Sequence, residues 1–116
     1  MHEIAVLLKV LVIFGMTCPL SQLQYNPSQS RLNSVYLTLG TDPTKPVHVI
    51  WLKPGMSQKE ERVAILHELV RCSQVELAVK MGANLPHKFS PRMETEAETS
   101  TRDMMSWIDR NGLPGE

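Results

Sequence analysis

Residues 4–16, IAVLLKVLVIFGM, have the least freedom of any part of this chain. A run this apolar must leave water, and it can go to a bilayer, to an export machinery or into the protein's own core. A bilayer span takes roughly 20 apolar residues, more than this run supplies. Its length does match a signal-peptide core, so a secreted or membrane-associated protein with an N-terminal signal is an alternative reading. Three features oppose it. Met1-His2-Glu3 carries an acid and no Lys or Arg, Lys9 interrupts the apolar run, and the following GMTCPLSQ lacks a small-residue cleavage pattern. Ile4, Leu7, Leu8, Leu11 and Phe14 recur at helical spacing, and a helix apolar nearly all round is a buried one. The preferred reading is a buried N-terminal helix within residues 1–17, ended by Gly15 and Pro19.

A chain of 116 residues is long enough for a single domain, 1–116, with a modest core of its own. Twelve basic and 12 acidic side chains leave no formal net charge. No nucleic acid or anionic membrane is therefore expected as an electrostatic partner. Aromatic residues make up only 5%, too few for a base-stacking platform. Cys18 and Cys72 are too few for a disulfide scaffold. One bridge is open to them, but two buried free thiols in a reducing compartment is the plainer expectation, and it accords with a cytoplasmic protein.

Residues 19–34 are rich in Ser, Gln, Asn and Pro and read as a polar connection. SVYLTLG at 34–40 and VHVIWL at 47–52 read as two strands close enough to pair as an antiparallel hairpin. His48 alternates with Val47 and Val49 and is expected at a surface or strand edge. Ser57 followed by Glu60 is a capping-box signature for a helix through EERVAILHELVRC and on towards Met81, with Gly82 past its end. Ser90-Pro91 opens a last helix, along which Met93, Ala97, Met104 and Ile108 form an apolar stripe, and Asn111-Gly112 stops it. Trp51, Trp107 and the Met104-Met105 pair are expected to serve the core rather than a partner-binding patch. The order helix, strands, helix, helix makes a small α+β domain.

Within the capped helix, His67-Glu68-Leu69-Val70-Arg71 falls one residue short of H-E-x-x-H. In that motif two histidines four apart share a helical face and hold one zinc ion, and the glutamate activates the metal-bound water. The stretch VHVIWLKPGMSQKEERVAILHELVR, followed by a helix with Glu94-Thr95-Glu96-Ala97, resembles the ImmA/IrrE-type zincin-like metallopeptidases, small proteins and domains of phages and mobile elements. The resemblance covers about residues 34–108 and implies a zincin-like domain. It places Glu68 as the catalytic base, His67 and Glu94 as metal ligands, and a peptide as substrate.

Arg71 stands where the family has its second histidine. Arginine stays protonated and offers a metal no lone pair. Zinc as cofactor is weakly supported on that ground, because a catalytic zinc site usually has three protein ligands. Cys72 lies about 140° around the helix from His67 and points elsewhere. His87, in the loop between the helices, is the candidate third ligand. Alternatively the Arg71 guanidinium pairs with Glu94 and replaces the metal's charge with its own. Glu94, Glu96 and Glu98 also fit an acidic first turn that complements the helix dipole. Two functions follow: a catalytically impaired metallopeptidase relative acting by binding a protein, or an active zinc peptidase with an unconventional third ligand. The first is the expectation, and position 71 is the reason.

Overall fold

The computed structural model describes residues 3–28, 31–82 and 89–115, and within them three helices and a three-stranded sheet form an α+β domain. The first helix, α1 (Ile4–Ile13), is a core element. Leu7, Val10 and Leu11 are all fully buried. The Glu3 carboxylate, just ahead of it, accepts from Arg62 Nε at 2.9 Å, Arg62 Nη2 at 2.7 Å and Gln58 Nε2 at 3.0 Å. This fork ties the start of α1 to the helix that carries the candidate motif. Among the described residues, no helix is long and apolar enough to cross a membrane.

Residues 19–34 are not simply a connection, because they contain β1 (Leu20–Tyr25). Its sequence, LSQLQY, shows no alternation of apolar and polar residues. Leu20 and Leu23 are half-buried against the core, and the ladder to the neighbouring strand holds the rest, a context that overrides propensity. The expected hairpin is present: β2 (Ser34–Leu39) and β3 (Val47–Leu52) pair antiparallel, from Ser34 opposite Leu52 to Leu39 opposite Val47. The sheet order is β1-β3-β2, with β1 parallel to β3. The sheet is therefore mixed, not wholly antiparallel, and β3 is its centre. That position overturns the surface placement of His48, which is fully buried. By strand alternation His48 shares a face with Ile50 and Leu52, and this face looks at the long helix.

That helix, α2 (Gln58–Lys80), starts as its sequence signature dictates. Ser57 Oγ accepts from the Glu60 amide, and Glu60 Oε1 accepts from the Ser57 amide, both at 3.1 Å. It ends at Met81, where Gly82 takes φ +74°, a conformation that glycine alone enters without steric cost. The last helix, α3 (Pro91–Asn111), is capped by Ser90 and carries Pro91 at its first position. Its buried stripe is Ala97, Thr101, Met104 and Ile108, with Met93 only half-buried. The Thr101 hydroxyl donates to the Ala97 carbonyl at 2.7 Å, so it enters the core without an unmet hydrogen bond. Met105 and Trp107 pack against the core from its margin.

Cys18 and Cys72 are bonded to each other, with Cα atoms 5.5 Å apart, so the expectation of two free thiols is wrong. The bridge joins the segment leaving α1 to the middle of α2. With 54 residues of sequence separation, no local pattern marks the two sulfurs as neighbours; only the packing of α1 on α2 brings them together.

Candidate functional site

Three of the side chains singled out by sequence, His67, Glu68 and Arg71, lie on α2, and a fourth, Glu94, lies in the first turn of α3. The packing of α3 on α2 brings Glu94 to Arg71. Arg71 Nη2 donates to Glu94 Oε2 at 2.5 Å. The same guanidinium turns its Nε towards Glu68 Oε1 at 3.2 Å, an ion-pair contact lying off the hydrogen-bonding line. Phe89 covers the cation from outside, with its ring centroid 4.7 Å from the guanidinium carbon. The pairing of Arg71 with Glu94, one of the two arrangements the sequence left open, is therefore present.

Glu68 is the most deeply placed of the group, with its side chain 7% exposed. Its other oxygen accepts from the Ser34 hydroxyl at 2.7 Å, so the first residue of β2 pins it from the sheet side. Burial pushes its carboxyl above the usual range. The Ser34 hydrogen bond and the charges of Arg71 and His67 oppose that shift without cancelling it, while Glu94 adds to it. A carboxyl held this way releases its proton less readily than an exposed glutamate does. His67 is half-buried and faces the cleft beside α2. Glu96 and Glu98 are exposed, and Glu96 pairs with Arg92 one turn away at 3.2 Å. His87 lies outside the described residues.

These positions bear on metal binding. Among the described residues, no three His, Cys, Asp or Glu side chains gather into a group able to hold a metal ion. Both carboxylates of the cluster, Glu68 and Glu94, are turned to the Arg71 guanidinium, whose positive charge repels a dication beside it. Cys72 cannot supply a ligand either, since its sulfur is bound to Cys18.

A second polar chain, missed by sequence reading, runs beside the first. Tyr36 Oη lies 2.6 Å from His48 Nδ1, and His48 Nε2 lies 2.8 Å from Glu76 Oε2. Burial, then the charges of Glu76 and Glu68, push the Tyr36 phenol well above its ordinary range, so it keeps its proton. In the neutral tautomer the hydroxyl then donates to Nδ1, and Nε2–H donates to Glu76. The two chains meet at Phe89, whose ring stands edge-on to Tyr36 at 6.2 Å while its face carries Arg71. The only sequence signal for this relay was a histidine inside a strand of otherwise apolar residues.

Comparison with known protein families, with curated proteins and with solved structures finds no match to this chain.

Proposed function

We propose that this protein is a zincin-like relative of the phage and mobile-element metallopeptidases that has exchanged its metal for an arginine and acts by binding a protein or peptide. The observation that carries the reading is the Arg71 guanidinium held between Glu68 and Glu94. It supplies positive charge where the motif calls for a second histidine and a zinc ion. In this reading Glu68 keeps the base's position without its water, and His67 remains at the cleft as a recognition group.

The test is metal content by elemental analysis of the purified protein, beside an Arg71→His variant. An empty parent and a zinc-loaded variant support the reading. About one zinc per parent chain would overturn it and favour the alternative of an active peptidase, with His87 the first ligand to examine. Two empty proteins would remove the zincin relationship itself.

The disulfide bears on where the protein works. Such bonds persist where thiols are oxidised and are rare in the cytoplasm. The bridge therefore favours an oxidising compartment over the cytoplasmic placement, with α1 retained as part of the core. Intact-mass measurement of protein isolated from its native source distinguishes these, since only the oxidised form is lighter by two hydrogens.

A further inference from the structure

The cleft beside His67 has a chemistry that the ion-paired cluster does not use. It holds about 660 Å³ between the segment entering β2 and the outward stripe of α2. Its middle is apolar: Leu32 is 61% exposed, Val63 is 38% exposed, and Ala64 lies behind them. Exposed leucine and valine side chains facing each other across a cleft invite an apolar side chain from elsewhere. Arg31 stands on the strand side and Lys59 on the helix side, and both are exposed. Among the described residues neither is engaged in a salt bridge.

The acidic residues of the same cleft are oriented by hydrogen bonds of their own. Glu60 is turned to the Ser57 amide as part of the helix cap, and Glu68 is turned inward to Ser34 and Arg71. Each wall therefore carries one cation outside any salt bridge among the described residues, Arg31 on the strand side and Lys59 on the helix side, the latter beside the exposed Glu60 carboxylate, with His67 between them and the cluster. One wall also begins β2, an edge strand whose outer side pairs with no other strand among those described. An edge strand offers backbone hydrogen bonds to an extended chain.

The geometry points to one occupant: an extended peptide segment of a partner protein, carrying an apolar side chain flanked by carboxylates. The apolar side chain sits between Leu32 and Val63, and the carboxylates meet Arg31 and Lys59. This rests on the protein-binding reading above and names the partner's chemistry. Charge complementarity of this kind sets partner choice more than overall affinity, so specificity is the quantity to measure.

A random-peptide library is displayed and selected on the immobilised full chain, in parallel with a charge-reversed form carrying Arg31→Glu and Lys59→Glu. Both substitutions are at exposed positions, and the folded state of each bait is checked by circular dichroism and melting. The expected result is enrichment of Leu, Ile, Val or Phe flanked by Asp or Glu on the parent, and its loss on the reversed form. In solution, the selected acidic peptide should bind the parent at least about tenfold more tightly than its Asn/Gln counterpart, a difference well above ordinary error in Kd. Should the reversed form fail to fold, the same peptide is titrated into isotope-labelled parent, and the amide shifts must centre on Leu32, Val63 and His67. Enrichment of neutral or basic sequences, or shifts elsewhere, overturns the proposal and leaves the protein-binding reading in place. No enrichment at all defeats both.

Discussion

Reducing the Cys18–Cys72 bridge should cost this protein a large share of its stability, and the size follows from where the two sulfurs lie along the chain. They close a loop with a sequence separation of 54. In the chain-entropy account, releasing a loop of that length returns about 4 kcal/mol of freedom to the unfolded state. Distortion around a bridge lowers such figures, so about 2 kcal/mol is the least to expect. For a domain of this size each kcal/mol moves Tm by about 4 °C, giving a fall of about 8–16 °C. The assay is thermal melting by circular dichroism with and without a reductant, with intact mass to show the bond's state before heating. A Cys18→Ala/Cys72→Ala variant controls for the reagent. It should melt slightly below the reduced parent, because Cys72 is fully buried and its sulfur leaves a small cavity. A shift under about 3 °C on complete reduction would refute the loop-entropy reasoning. A native mass with both thiols intact would refute the bond itself.

Further outcomes are expected at three other places. Leu11→Ala should cost about 2–5 kcal/mol in urea unfolding, because Leu11 is fully buried in α1, and no loss would mean that α1 is not part of the folded core. Tyr36→Phe removes the donor to His48 Nδ1 inside a buried chain and should cost about 1–3 kcal/mol, whereas an unchanged urea midpoint would show that water replaces the hydroxyl. Glu68 sets a pH dependence whose sign is fixed: its folded carboxyl titrates above its unfolded value, so its contribution is complete at acid pH and falls as pH rises through the folded value. Glu68→Gln should therefore flatten the loss of stability as pH rises above the ordinary carboxyl range, read as the difference in urea midpoint between variant and parent. An identical pH profile would show that Glu68 is not shifted.

What could be read from the sequence was whatever is decided locally. The capping box at Ser57 and Glu60, the Ser90-Pro91 helix start and the β2–β3 hairpin all depend on residues within a few positions of one another, and all are present. The Arg71–Glu94 pair was also legible, because helical spacing puts Arg71 on the His67 face and the zincin resemblance put Glu94 opposite. What failed was decided by partners distant in sequence. β1 is a strand only because β3 lies beside it, and His48 is buried because it sits on the central strand's face towards α2, between Tyr36 and Glu76. The disulfide needed α1 docked on α2, and the Tyr36–His48–Glu76 relay needed both the strand register and the helix that crosses it. A polar residue in an apolar strand reads as a surface or edge position, and the sheet order that makes β3 central is what overturns it.

The consequences of replacing Arg71 follow from the charges it balances. One guanidinium faces two carboxyl groups, Glu68 and Glu94. Its side chain is 21% exposed and that of Glu94 is 38% exposed, so solvent screens the outer pair while the inner one is almost dry. Arg71→Met keeps most of the side chain's bulk and removes the charge. The loss should be about 2 kcal/mol at neutral pH, below the 3–5 kcal/mol of a fully buried pair. It should shrink in acid as Glu68 takes up its proton and needs no cation. Arg71→His removes the permanent charge but returns a metal donor beside His67, so its deficit should be recoverable by zinc in a way the methionine variant's is not. The measurement is Tm of both variants with zinc and with chelator. Recovery confined to Arg71→His would mean that the cluster is a metal site whose cation has been replaced by a side chain. Equal behaviour of the two would mean that Glu68 and Glu94 are placed for arginine alone.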